Sequence, residues 1–151
     1  MTETTVTRID PLHPDALRLI DGSEAEQSAL YPPHLRYAFS PQQLIDDDVR
    51  FYIACRGGAA LACGGYGAYD SYAELKRIYV DPAHRGTGLA DAIIAACEAE
   101  AAAEGLPLMR LETGEASPAA LRIYTRLGYA RRGPFGEYKE NGSSVFMEKA
   151  L

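Results

Sequence analysis

The spacing of hydrophobic and polar positions changes period along the chain. Val6-Thr7-Arg8-Ile9 alternates with the two-residue period of a half-buried strand. The period then becomes helical, placing Leu12, Ala16, Leu19 and Ile20 on one face, and Gly22 predicts the end of that helix. Ser23 with Glu26 three residues on has the form of a capping box and predicts a second short helix reaching Leu30, stopped by Tyr31-Pro32-Pro33. Ser40-Pro41-Gln42-Gln43 predicts a further helical turn, with serine as cap, proline at the first position and glutamine at the third.

Strands follow. Phe51, Ile53 and Cys55 alternate with Tyr52 and Ala54, and Gly57-Gly58 predicts a tight hairpin turn. The stretch 59–68 returns antiparallel, with Gly64-Gly65 marking a bulge or a close backbone approach. A third strand runs over 73–80 and ends at Asp81-Pro82. The second half alternates helix and strand. An Ala-rich helix over 89–103 carries Leu89, Ile93, Ala96 and Cys97 on one face and stops at Gly105. A strand over 107–113, a helix opened by Ser117-Pro118 and closed by Gly128, and strands over 129–131 and 144–148 complete the chain. The order β-α-α-β-β-β-α-β-α-β-β predicts an α/β fold, with an antiparallel front and a βαβ unit behind, in one domain spanning 1–151.

Composition narrows the classes. The 151 residues are 47% hydrophobic and 24% charged, ordinary values for a globular domain. The net charge of -6 and the lack of Lys/Arg runs argue against a nucleic-acid partner. No apolar run approaches the roughly 20 residues of a membrane span, and Met1 to Thr5 lacks a secretory pattern, so a cytoplasmic protein is expected. Cys55, Cys63 and Cys97 form no CxxC pair and read as reduced structural thiols; no metal site is evident.

The chemistry concentrates in Val80-Asp81-Pro82-Ala83-His84-Arg85-Gly86-Thr87-Gly88-Leu89-Ala90. A strand ends, a glycine-rich loop crosses, and an amphipathic helix begins. The first amides of a helix lack internal partners and sit at its positive dipole end, so they suit a phosphate. Gly86 and Gly88 remove the Cβ that would keep an anion away, and Arg85 adds fixed positive charge. The segment reads as a diphosphate cradle. A nucleotide-triphosphate loop would need Lys-Ser/Thr after Gly88, where Leu89-Ala90 stands. A dinucleotide fingerprint lacks its last small residue in register, and its strand would open the chain rather than follow antiparallel strands.

Arg85-Gly86-Thr87-Gly88-Leu89-Ala90 resembles the [RQ]xxGx[GA] signature of the GNAT superfamily of N-acetyltransferases. Ala73 to Pro82 resembles that family's central strand, and Ala119 to Tyr129 its "A..lY.k.GF" helix and strand, in family order and with similar spacing. The close resemblance covers 73–129. It implies a GNAT-like mixed sheet with splayed central strands, acetyl-CoA as cosubstrate and direct transfer to a primary amine of a small molecule or peptide. It also implies pantetheine along Ile78, Tyr79 and Val80, and pyrophosphate on the amides of Arg85, Gly86, Thr87, Gly88, Leu89 and Ala90. Relatives often pair, which raises a homodimer.

The resemblance also suggests catalytic residues. Glu74, placed by strand alternation on the face of Ile78 and Val80, matches the position where some family members carry a general base. Its other reading is an ion-paired strand glutamate beside Lys76 and Arg77. Tyr124 matches a tyrosine that protonates the departing thiolate and meets the cofactor; its other reading is a core aromatic. Ser117 stands where many relatives have a cofactor-contacting Asn and is expected to cap its helix. Tyr31, Tyr37, Phe39, Tyr66 and Tyr69, with the loop 133–138, either line the acceptor pocket or close the core. A non-catalytic acyl-CoA-binding module is the rival class, and a longer acyl chain a variant of the first.

Overall fold

A computed structural model describes residues 3–151. Its elements run β1 (Thr5–Arg8), α1 (Pro14–Leu30), α2 (Pro41–Asp46), β2 (Arg50–Arg56), β3 (Ala59–Ala68), β4 (Ala73–Val80), α3 (Leu89–Ala103), β5 (Leu108–Gly114), α4 (Pro118–Arg126), β6 (Ala130–Arg132) and β7 (Ser144–Ala150). The strands form one sheet in the order β1-β2-β3-β4-β5-β7-β6, antiparallel throughout except where β4 meets β5. Among the described residues no helix is long and apolar enough to cross a membrane.

Two cores lie on opposite faces of the sheet. On one, Leu89, Ile93, Ile94, Cys97 and Ala101 of α3 pack with Tyr124 of α4 against Leu75, Met109 and Leu111. On the other, Ala16, Leu19 and Ile20 of α1 and Leu44 near it cover Phe51, Ile53 and Cys63.

The expected break at Gly22 is corrected: α1 runs unbroken for 17 residues, capped by the His13 ring, whose Nδ1 accepts from Asp15 N–H. Gly22 is there for contact. A Cβ at this position would stand 2.7 Å from the Tyr79 hydroxyl, so glycine lets the helix lie against β4. Ser23 accordingly caps nothing; it is buried mid-helix and accepts a hydrogen bond from Arg77 Nη1 at 3.0 Å. The turn at Ser40 does carry its capping box with Gln43.

The expected irregularity at Gly64-Gly65 is found, with the extra residue on the facing strand. Cys63 pairs with Tyr79 and Gly65 with Lys76, so β4 advances three residues where β3 advances two. Arg77 absorbs the difference in a left-handed conformation, φ 54°. Gly64 makes room opposite: a Cβ there would sit 2.4 Å from Ile78 Cδ1.

Candidate active site

β4 and β5 pair only at Ala73↔Met109 and Glu74↔Arg110. Beyond these two rungs the strands part, and the gap opens into a cavity of about 1100 Å³. Its lining runs from Arg85, Gly86 and Gly88 past Ile78, Val80 and Tyr124 to Glu74, Glu112, Phe39 and Tyr138. The gap thus joins the α3 side of the sheet to the α1 side.

At the α3 end the loop that enters the helix is open and left-handed at its two glycines. Gly86 and Gly88 hold φ values of 76° and 90°, in the region L side chains rarely adopt, with nothing within 4 Å of where a Cβ would stand. Gly88 precedes α3 and brings no capping side chain. The first helical bond runs from Ala92 N–H to the Gly88 carbonyl, leaving the amides of 89–91 ahead of it without a helical partner. The Leu89 and Ala90 side chains are buried in the core, so these residues offer the cavity backbone alone. Arg85 lines the mouth and is already held, by an ion pair to Glu26, a bond from Nε to the Val80 carbonyl and the Tyr79 ring 5.5 Å away. The Thr87 side chain turns off the cavity and donates to the His84 carbonyl at 2.6 Å.

The sequence gives no cue to Arg56, which braces this loop. From the end of β2 it donates to Thr87 Oγ at 2.8 Å and to the Thr87 carbonyl at 2.6 Å, while Nε holds Thr4. Fixing a glycine-rich loop from outside limits the entropy lost when a ligand orders it.

In the gap, Tyr124 is buried against Tyr129, ring centroids 5.8 Å apart, and makes no side-chain hydrogen bond among the described residues. Burial raises its phenol above the ordinary value, and Cys97 and Glu112 add to the effect. A neutral hydroxyl with its proton uncommitted faces the cavity. Ser117 departs from expectation. It stands at the N-cap of α4 with no capping bond, and its Oγ lies 2.8 Å from the Tyr31 hydroxyl. Gly114 gives Tyr31 its place, since a Cβ there would stand 2.0 Å from that hydroxyl. The end of α1 is thereby fastened to the start of α4 across the gap.

The α1 end was harder to foresee. The bulge at Arg77 reverses the alternation of β4, so Ala73, Leu75, Ile78 and Val80 share the α3 face. Glu74 takes the opposite face from Ile78 and Val80, which corrects the simple alternation. It is buried, pairs with Lys76 Nζ at 3.0 Å and accepts a hydrogen bond from the Tyr138 hydroxyl. Lys76 in turn lies 4.0 Å from the centroid of the Phe39 ring. Glu112 of β5 joins this cluster and accepts from Ser144 Oγ at 2.7 Å. Burial pushes its carboxyl up to about 7, the Ser144 bond and Lys76 opposing and the Glu74 charge assisting. Nothing in the strand pattern singles out Glu112; the one cue is alternation, which puts it on the face away from Leu111. Of the aromatic candidates, Tyr31, Tyr37, Phe39 and Tyr138 line the cavity. Tyr66 is instead fully buried with its hydroxyl on Glu104, and Tyr69 bonds Asp47 and stacks on Tyr72.

Comparison with known proteins agrees with this geometry. The model of the acetyltransferase (GNAT) family matches residues 16–129. An "IAA acetyltransferase" of Azospirillum brasilense is 36% identical over 154 residues, covering all of both chains. A crystal structure from Klebsiella pneumoniae, provisionally described as an acyl-CoA N-acyltransferase, is 35% identical, with a TM-score of 0.83 over 98% of this chain and 97% of that one. The PaiA N-acetyltransferase of Thermoplasma acidophilum, solved in complex with coenzyme A, shares the fold at 15% identity, with a TM-score of 0.79 over 99% of each chain. The cradle, the parted strands and these matches agree: the chain belongs to the acetyltransferase (GNAT) family and is an acetyl-CoA-dependent N-acetyltransferase.

Proposed function

We propose that the enzyme, acting as one catalytic domain, transfers the acetyl group directly to the primary amine of a small molecule, with both substrates bound at once. The observation that supports this most is the cavity through the β4–β5 gap, whose lining runs from the Gly86–Gly88 loop to Glu112 and Tyr138 and so has room to bring two substrates together. The uncapped amides of 89–91, with Gly86 and Gly88, fit a pyrophosphate. The free edge of β4 at Ile78, Tyr79 and Val80 fits the amide groups of a pantetheine arm. Acetyl-CoA bound there supplies the activated carbonyl.

Roles follow from the chemistry of the groups present. The amine nitrogen attacks the thioester carbon, so a C–N bond forms and the C–S bond breaks. Glu112 takes the proton that the amine must lose, since a carboxyl titrating near 7 is well matched to an acceptor role at neutral pH. Tyr124 gives its hydroxyl proton to the departing sulfur. Glu74, held by Lys76 and Tyr138, keeps the Lys76 charge fixed beneath the acceptor and acts through position. The test is thiol release from acetyl-CoA across a panel of primary amines, for the parent enzyme and Glu112→Gln. The parent kcat/KM should rise through pH 7, and the variant should lose about 100-fold at neutral pH together with that rise. No amine-dependent release would remove the proposal, and an unchanged profile in Glu112→Gln would remove Glu112 from it.

A further inference from the structure

Among the described residues, the acceptor end of the cavity holds one guanidinium with nitrogens that make no hydrogen bond. The Lys76 charge is paired with Glu74 and lies against the Phe39 ring. Arg77 is engaged as well: Nε donates to the Phe39 carbonyl at 2.9 Å, Nη1 to Ser23 and Nη2 to Glu24 at 2.6 Å. Arg36 differs. It follows the Pro33–Leu35 turn and lines the cavity beside Tyr37 and Phe39. Its Nη1 serves Glu24 at 2.7 Å and Ser28 at 2.6 Å, while Nη2 makes no hydrogen bond among the described residues and Nε is buried with no partner.

Charge points the same way. Arg36 and Arg77 share a single carboxylate, that of Glu24, whose pKa they hold below its ordinary value, Arg77 by its hydrogen bond most of all. Two guanidiniums on one carboxylate leave a net positive charge on this wall. Glu112 stands in the same cavity as a carboxyl group whose ionised form can take up a proton. A buried donor without a partner is a standing cost, and a ligand that satisfies it recovers that cost. The planar Nε–Nη2 edge of a guanidinium matches a carboxylate in two parallel bonds; Nη2 carries no bond here, and a ligand that engages the buried Nε as well must turn the guanidinium.

We propose that Arg36 is the carboxylate-binding residue of the acceptor subsite, and that the acceptor is therefore a small amino acid whose side chain lies against Tyr31, Tyr37, Phe39 and Tyr138. The inference rests on the acetyl-transfer reading above and deepens it. The amine would lie toward Glu112 and the thioester, and the carboxylate toward Arg36, so one substrate answers both charges.

The test uses acetyl-CoA with phenylalanine, tyrosine, leucine and methionine, each as the free acid, the carboxamide and the decarboxylated amine, read by thiol release. The free acid of the best side chain should exceed both other forms in kcat/KM by about tenfold or more, the usual weight of a hydrogen bond to a charged group. Arg36→Met should bring the ratio of kcat/KM for the acid to that for its amide close to one, and Arg36→Lys should restore part of the preference. Carboxamides or amines used as well as the acids would overturn this inference alone. So would an acid preference that survives in Arg36→Met. Release from none of the compounds would overturn this inference together with the transfer reading, whereas turnover without carboxylate dependence would leave that reading standing.

Discussion

The cradle end of the cavity is built from one continuous stretch, 80–91, and offers mainly backbone. The acceptor end is built from side chains of Glu24, Arg36, Phe39, Glu74, Lys76, Glu112, Tyr138 and Ser144, which nearly span the chain. On the proposed reading, the difference reflects what each substrate would ask of the protein. A diphosphate needs aligned N–H donors and room to approach, and a loop entering a helix supplies both within a dozen residues. An amine must be oriented, deprotonated and distinguished from other amines. That takes groups of opposite character held a few ångströms apart, which only elements packed from different parts of the chain can provide.

The gap between the two ends gives the largest expected effect. Tyr124→Phe removes a hydroxyl that makes no hydrogen bond among the described residues and leaves the ring in its contact with Tyr129. Turnover should fall by about 100- to 10,000-fold, as for loss of a general acid, while affinity for acetyl-CoA changes far less, because the proton matters mainly in the transition state. A fall of less than threefold would make Tyr124 a core aromatic and leave the cradle end as a binding surface without chemistry of its own.

Gly88→Asp and Gly88→Ala sharpen the claim that the cradle is backbone. Both must accept φ 90° at some cost in stability, about 1–2 kcal/mol. Only aspartate adds an anion where a phosphate would lie, a juxtaposition that costs several kcal/mol. Calorimetry should therefore show affinity for coenzyme A falling by about a hundredfold or more in Gly88→Asp and by less than tenfold in Gly88→Ala. Equal losses would assign the glycine to conformation alone.

Arg56→Ala asks whether the loop needs outside support. Its loss removes two hydrogen bonds to Thr87 without touching the cavity. KM for acetyl-CoA should rise by about tenfold with kcat nearly unchanged. A fall in kcat alone would contradict the bracing role.

The smallest effect concerns the acceptor end in the absence of substrate. Glu112 titrates near 7 in the folded protein against an ordinary 4.5, so the fold prefers its protonated form. Stability carried by that group is full below about 4.5 and is lost as pH rises through 7. Glu112→Gln stays neutral and keeps the acceptor oxygen for Ser144. Its Tm should match the parent at pH 4.5 and exceed it by a few degrees at pH 8. A constant difference across that range would mean that the carboxyl is well solvated, and would remove the basis for its role as a base.

Most strands and helices were legible in the sequence because their signals are local: alternation for β2 to β4, the Gly57-Gly58 turn, and glycine stops after α3 and α4. The failures share a physical cause. Gly22 reads as a helix stop until Tyr79, more than fifty residues away, is seen to occupy the space its Cβ would fill. Ser23 reads as a cap until Arg77 claims its hydroxyl. Ser117 has the position of a cap and spends its hydroxyl on Tyr31. In each case a local preference worth about a kilocalorie per mole gave way to a tertiary contact.

Sequence alone determined most of the order of elements, the glycine-rich entry into α3 and the unpaired amides that open it, because backbone conformation over a few residues follows from the residues themselves. Tertiary structure alone decided the face on which Glu74 lies, the burial that raises Glu112 and the sharing of Glu24 by Arg36 and Arg77. One left-handed residue, Arg77, shifts the alternation of β4 by a single position, and period-two reasoning cannot see an inserted residue. Charge at the acceptor end depends on distances between groups far apart in the chain, and those are set only when the strands part and the helices close over them.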